Sequence, residues 1–404
     1  MSVPDLASLQ DSGFRKVPTC VCACTCVRVH VCCFAPKASH YKRKTQIEYD
    51  ILSSHNPSVN HDYKCIGGGF SYPDFKTKSI AKAIPKESFS SEDASVPKNI
   101  FDVMKNFLDA LYWFCYPYSV IARTLITIAT SLLAVNRISD ISPLFLTGLL
   151  QVLIPHLFMD IYVGGVNQLF DLEIDKINKP FLPLASGQLS FTTGVIITVS
   201  SLILSFGFGW ITGSWPLIWG LVLCCALWTA YSVNVPLLRW KRNPLLAAMV
   251  IFATWACVFP ITSFLHMQTF VLKMPANFPK SLFFIIAFMS FYSIGIAMLK
   301  DIPDMEGDKL FGINSFSACL GQKRVFWICV SFFEMAFGVA LLFGLTSSSL
   351  WIKMITGIGY AVHALILWNH AKSIDLKSKA SVGSFYMLIW KMLSTVCFLL
   401  PLAR

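Results

Sequence analysis

The sequence predicts an all-α, polytopic membrane protein with about nine transmembrane helices. Three observations carry that prediction. Apolar residues make up 55% of the 404-residue chain and charged residues only 14%, too little charge to cover a water-soluble protein of this length. From about residue 107 onward, long apolar stretches recur between short polar connectors. Each approaches the roughly 20 residues that a helix needs to cross a bilayer.

The segment before that region reads differently. Residues 1–47 hold Arg15, Lys16, Arg28, Lys37, Lys42, Arg43 and Lys44 against only Asp5 and Asp11. Spread positive charge with few acids is the composition of an organelle transit peptide, and the continuous apolar core of a secretory signal is missing. A disordered basic tail is the plain alternative. Cys20, Cys22, Cys24, Cys26, Cys32 and Cys33 alternate too closely for the usual zinc spacing. The remaining cysteines sit mostly in apolar stretches, where Cys packs as a small apolar filler, so no disulfide framework is expected. Residues 48–104 read as a polar linker, and 105–404 as the membrane domain.

Within that domain the expected spans are 112–134, 144–168, 191–212, 215–234, 245–265, 281–299, 324–345, 350–370 and 380–402. If these alternate in direction, the connectors after the second, fourth, sixth and eighth share one face with the N-terminus. Those connectors hold Lys176, Lys179, Arg239, Lys241, Arg242, Lys300, Lys309, Lys323, Arg324, Lys372, Lys377 and Lys379. The opposite ones hold only Arg137, Lys273, Lys280 and Lys353. Such asymmetry places the richer face in the cytosol-equivalent compartment, the plastid stroma or mitochondrial matrix behind a transit peptide. The net charge of +11 therefore belongs to membrane orientation. No basic run interleaved with aromatics supports a nucleic-acid partner; the expected partner is the lipid bilayer.

Two acidic clusters lie on that same face. The first closes the second span: Asn167, Gln168, Asp171 and Asp175. Asn167, Asp171 and Asp175 are four residues apart and fall on one helical stripe, which His156 and Asp160 continue backwards. Lipid cannot solvate such a stripe, so it must face a cavity or a partner. The second cluster closes the sixth span: Lys300, Asp301, Asp304 and Asp308, with Pro303 and Gly307 breaking the helix. Crowded carboxylates repel one another and drive pKa values upward. A hard cation resolves the conflict. Mg²⁺ takes one or two carboxylates per ion plus waters and phosphate oxygens, so two clusters on one face suit a diphosphate bridged by two Mg²⁺ ions. Ordinary hydrated loop acids are the bland reading of either cluster alone. A cation-coupled transporter is the reading from another class.

At these residues the sequence resembles the intramembrane aromatic prenyltransferases of the UbiA superfamily. Residues 167–175 match an Asn-Gln-x-x-Asp-x-x-x-Asp motif, and residues 300–308 match Lys-Asp-x-x-Asp-x-x-Gly-Asp. The segments Asn178 to Gly187 and Pro236 to Arg242 resemble the plant plastid homogentisate prenyltransferases and, more closely, the flavonoid and phenolic prenyltransferases derived from them. The resemblance implies helices around a central cavity, Mg²⁺ dependence and plastid import. It also implies transfer from a prenyl diphosphate, dimethylallyl diphosphate above all, to an aromatic carbon of a phenolic acceptor.

The resemblance carries roles with it. Asp171 and Asp175 would bind one ion, Asp301, Asp304 and Asp308 the other, with Asn167 as a neutral oxygen ligand. Gln168 completes the first motif on the substrate side. Lys176, Lys179, Lys300 and Arg239 would neutralise the departing diphosphate. Tyr116, Tyr162, Tyr231 and Tyr292 are expected to steady an allylic cation. Asp160, Asp175 or the diphosphate itself would accept the ring proton. One departure bears on the acceptor. Homogentisate enzymes carry Ser-Arg-Pro-His-Thr where this chain has Cys115-Tyr116-Pro117-Tyr118-Ser119. The swap to Tyr116 and Tyr118, with Arg123 as substitute charge, favours a larger, flatter phenolic over homogentisate, the alternative acceptor.

Overall fold

The computed structural model describes residues 100–135 and 137–402. The expected transit peptide, the N-terminal cysteine run and residues 48–99 of the linker lie outside the described residues. Helix α1 (Ile100–Phe114) already begins inside the stretch read as linker. It is amphipathic: Ile100, Phe101, Met104 and Leu108 are exposed, while Ala110 and Phe114 are buried. The first expected span is split rather than continuous. α1 stops at Phe114, and α2 (Pro117–Leu133) starts with Pro117 in its first turn. Proline fits there because its missing N–H would have had no helical partner. Tyr116 takes the junction with φ 51°.

Helix α3 (Pro143–Asn178) runs for 36 residues, capped by the Ser142 hydroxyl, which accepts from the Phe145 N–H. At about 1.5 Å per residue it exceeds the ~30 Å of a bilayer core. Its polar C-terminal turns therefore extend past the apolar layer. α4 (Phe191–Thr212) packs along α3, and α5 (Trp215–Ser232) follows. α6 (Pro244–Val271) contains two π-helical stretches, Ala253–Val258 and His266–Val271. α7 (Lys280–Leu299) is the most enclosed, its Phe288, Met289 and Tyr292 fully buried against α10 (Gln322–Gly344). Between these two lie the short helices α8 (Met305–Leu310) and α9 (Phe316–Leu320). α11 (Leu350–Ser373) and α12 (Lys379–Val396) complete the described chain.

Among the described residues, eight helices are long and apolar enough to cross a membrane, and α2, at 17 residues, falls short of that length. Large apolar side chains such as Trp210, Ile211, Leu350 and Trp351 point outward. In water such a surface would aggregate; against lipid it is the expected face. Glu334 and Lys391, charged residues within apolar helices, form no ion pair among the described residues, and Glu334 keeps one buried oxygen unbonded.

Candidate active site

Both acidic clusters line one cavity of about 590 Å³. On α3 the helical period does the placing: Asn167, Asp171 and Asp175 all face inward. Asn167 donates from its amide to Asp171 Oδ2 at 2.9 Å, and the Tyr116 hydroxyl donates to Asn167 Oδ1 at 3.5 Å. On the other side the backbone must turn. α7 ends at Leu299, Pro303 cannot continue a helical hydrogen-bond ladder, and Asp304 sits at the N-cap of α8. The turn brings Asp301, Asp304 and Asp308 to the same cavity.

Two side chains stitch the clusters together. Lys179, just past α3, reaches Asp304 Oδ2 at 2.7 Å and Asp175 Oδ1 at 3.7 Å. Asn178 accepts the Gly307 N–H at 3.0 Å and donates to Asp308 Oδ1 at 3.5 Å. Glycine is required at this contact, because a Cβ on residue 307 would lie 2.6 Å from Asn178 Oδ1. Lys300 pairs with Asp301, while Lys241 and Arg239 both pair with Asp171.

The electrostatics of the loops show the crowding. Burial, reinforced by Asp304, pushes the Asp308 carboxyl up to about 7. Burial also raises Asp301 against the pull of Lys300. Burial lowers the Lys241 ammonium despite the Asp171 carboxylate beside it. For Lys179, burial pulls down but Asp304 and Asp175 push its pKa well above the usual lysine value.

The donor set fits Mg²⁺: carboxylate and amide oxygens line this end without thiolate or imidazole, and Asp175 Oδ2 is buried with no hydrogen bond. Asp301, Asp304 and Asp308 share this cavity without closing on a single point. Among the described residues no three acidic, His or Cys side chains form a ready cage; these carboxylates are turned to Lys300, Lys179 and Asn178. Mg²⁺ does not need such a cage, since it retains waters and takes phosphate oxygens.

Away from the carboxylates the wall turns aromatic. Tyr118, Tyr386, Trp255 and Trp390 meet ring to ring, with centroids 5.5 Å apart for Tyr118–Trp390 and 5.3 Å for Trp255–Trp390. Trp228 and Tyr231 lie 5.1 Å apart, and Lys300 Nζ sits 5.8 Å from the Tyr231 ring. Arg123 and Asp160 form a buried ion pair that also lines the cavity.

The cavity thus gathers Asn167, Asp171, Asp175, Lys179, Lys300, Asp301, Asp304, Asp308, Tyr116, Tyr118, Tyr231, Arg123 and Asp160. Other expected residues fall elsewhere. Lys176 is exposed and pairs with Glu173 at 2.7 Å, because one residue past Asp175 turns it about 100° around the helix. Gln168 donates to the Phe114 carbonyl at 2.9 Å and anchors the α1–α2 junction. Arg239 stands behind Asp171, holding it at 3.3 Å while also donating to the carbonyls of Phe170 and Ser232. Tyr162 bonds Thr229 at 2.6 Å, and Tyr292 donates to the Ile389 carbonyl at 2.7 Å within the core. His156 packs edge-on to Phe259, its ring nitrogens unbonded. Lys241, Asn178, Trp228, Trp255, Tyr386 and Trp390 line the cavity without having been singled out as site residues. Only Asn178 and Lys241 carried a signal, lying in the segments that resemble plant prenyltransferases.

Residues 124–392 match the model of the UbiA prenyltransferase family. Glycinol 4-dimethylallyltransferase of Glycine max is 60% identical over 369 residues, covering 91% of this chain and 90% of the relative. Naringenin 8-dimethylallyltransferase 2, chloroplastic, of Sophora flavescens is 50% identical, covering 90% of each. Homogentisate phytyltransferase 1, chloroplastic, of Arabidopsis thaliana is 49% identical, covering 82% of this chain and 84% of the relative. A solved UbiA homolog from Archaeoglobus fulgidus, bound to GPP and Mg²⁺, shares the fold with a TM-score of 0.51 at 14% identity, over 72% of this chain and 99% of that one. Two acidic motifs on one cavity, an all-helical membrane architecture and these matches agree that the chain belongs to the UbiA prenyltransferase family.

Proposed function

We propose that the enzyme transfers a dimethylallyl group from dimethylallyl diphosphate to a ring carbon of a flavonoid, isoflavonoid or related plant phenolic. The observation that carries this reading is the two-part cavity: a lip of carboxylates and lysines opening onto an aromatic body. The names of the relatives from Glycine max and Sophora flavescens support the donor and the acceptor class. Relatives named as chloroplastic support a plastid membrane, with the motif loops toward the stroma on the charge asymmetry.

Asn167, Asp171 and Asp175 would hold one Mg²⁺ ion, and Asp301, Asp304 and Asp308 a second. Bound there, the ions would supply positive charge to a leaving diphosphate. Lys179, Lys241 and Lys300 add fixed ammonium charge on the same oxygens. The allylic C–O bond breaks with its electron pair going to the diphosphate. The aromatic body excludes water from the allylic cation, and each well-placed ring face steadies it by about 0.5–2 kcal/mol. A phenol ring carbon then forms the new C–C bond. Its proton leaves to a basic oxygen of a carboxylate or of the diphosphate, and the ring regains aromaticity.

The test is an assay on membranes carrying the full chain, with C5 to C20 diphosphates against flavanone, isoflavone, stilbene and homogentisate acceptors. Prenylated flavonoid formed from the C5 donor, and lost with EDTA, is the expected result. Preference for homogentisate with a phytyl donor would replace this acceptor class, and turnover that survives chelation would overturn the metal assignment.

A further inference from the structure

We infer that the buried Arg123–Asp160 pair is the acceptor-reading element, and that it selects uncharged phenols over aromatic carboxylates. The inference rests on the prenyl-transfer reading above and narrows its acceptor class.

The pair sits at the far end of the cavity from the carboxylate lip. Asp160 precedes Asp171 by three turns of α3, about 16 Å along the axis. Helix α2 agrees with that depth: Tyr116 meets Asn167 near the lip, whereas Arg123, two turns further on, meets Asp160. A donor held by its diphosphate at the lip therefore leaves this end for the acceptor.

Arg123 and Asp160 are 3% and 6% exposed. The guanidinium lies 3.8 Å over the Phe259 ring and 5.5 Å from Trp255, which fixes its plane. Its Nε is buried without a hydrogen bond. Among the described residues, Arg123 is the only ion-pair or hydrogen-bond partner of the Asp160 carboxylate. Buried ion pairs add little to stability unless their remaining valences are satisfied, and buried polar groups in folded proteins nearly always are. Here both open valences belong to residues that line a cavity, so a ligand is their natural partner.

The chemistry of those valences defines the ligand. Asp160 accepts the O–H of a neutral phenol, and Arg123 Nε–H donates to a second oxygen, a carbonyl or an ether. Tyr118, Tyr386 and Trp390 supply flat walls around the ring. A carboxylate acceptor would meet a guanidinium already neutralised and an anion beside it. Repulsion between like charges is strong where water is scarce, so the pair discriminates by rejection as well as by fit.

The experiment compares the most active neutral phenol of the panel with homogentisate, at saturating dimethylallyl diphosphate, in membranes carrying the full chain. The wild type should prenylate the neutral phenol and leave homogentisate unchanged. Asp160→Asn should raise the KM of the neutral phenol by about 10- to 100-fold, the loss expected when a hydrogen bond to a charged group is weakened. The KM of the diphosphate should move less than about twofold, since remote sites act independently. With Arg123 uncompensated, homogentisate should become a competitive inhibitor or a substrate. If Asp160→Asn does not accumulate, the neutral Arg123→Gln, Asp160→Asn double variant decides: it should lose neutral-phenol affinity without gaining homogentisate. Wild-type turnover of homogentisate equal to that of neutral phenols would overturn the inference and leave prenyl transfer intact. So would an unchanged acceptor KM in Asp160→Asn. Absence of any product from any acceptor would instead sink the prenyl-transfer reading itself.

Discussion

The two acidic clusters reach the same lip by different means. On α3 a continuous helix presents Asn167, Asp171 and Asp175 by its periodicity, with Arg239 bracing Asp171 from behind and Lys241 pairing with it from the cavity wall. Beyond α7 the helix is broken: Asp301 pairs with its chain neighbour Lys300, while Asp304 and Asp308 are held by tertiary stitches from Lys179 and Asn178. A carboxylate on a rigid helix tolerates the loss of a neighbour. One on a turn or at a helix cap, as Asp301 and Asp304 are, does not, because its backbone has little ladder of its own to fall back on.

That contrast is open to attack. The largest effect should come from the carboxylates themselves: Asp171→Ala and Asp304→Ala should each lower kcat by about 10²–10³-fold, the usual loss when a charge-stabilising group goes. Next, Asn178→Ala should lower kcat/KM by about 10-fold or more at any Mg²⁺ concentration, because the turn loses its stitch. Asn167→Ala removes a proposed metal ligand but leaves Asp171 on its helix, so its loss should be recovered as Mg²⁺ is raised. Recovery of both by Mg²⁺, or of neither, would erase the contrast between helix and turn. Gly307→Ala should resemble Asn178→Ala, since its Cβ would press on the Asn178 amide. The smallest effect belongs to Lys176→Ala, within about twofold, because an exposed pair such as Lys176–Glu173 is worth about 0–1 kcal/mol.

How much of this the sequence disclosed follows the same divide. The stripe on α3 was legible because four-residue spacing is a property of one helix. The break after α7 was legible from Pro303, which follows directly on the end of the span; Gly307, read with it as a breaker, lies within α8 and makes room for Asn178. Asn178 and Lys241 were not assigned to the site because their roles come from contacts between segments 130 and 70 residues apart in the chain, which one sequence does not display. The aromatic wall was hidden for another reason. Membrane helices are apolar on every face, so periodicity cannot tell inward Trp255 and Trp390 from lipid-facing Trp210 and Trp351. For the same reason Tyr162 and Tyr292, expected to face the cation, sit in packing contacts instead. The split at Tyr116 escaped notice because a proline can kink a span as readily as start a new helix.

The central claim is that both clusters grip one and the same diphosphate. A double-mutant cycle on dimethylallyl diphosphate binding measures it directly, using Asp171→Ala, Asp304→Ala and the pair, each with Mg²⁺ present. Strong coupling is predicted: the double variant should bind little worse than the weaker single. Losses that simply multiply, or a single variant that binds as well as wild type, would contradict a shared site.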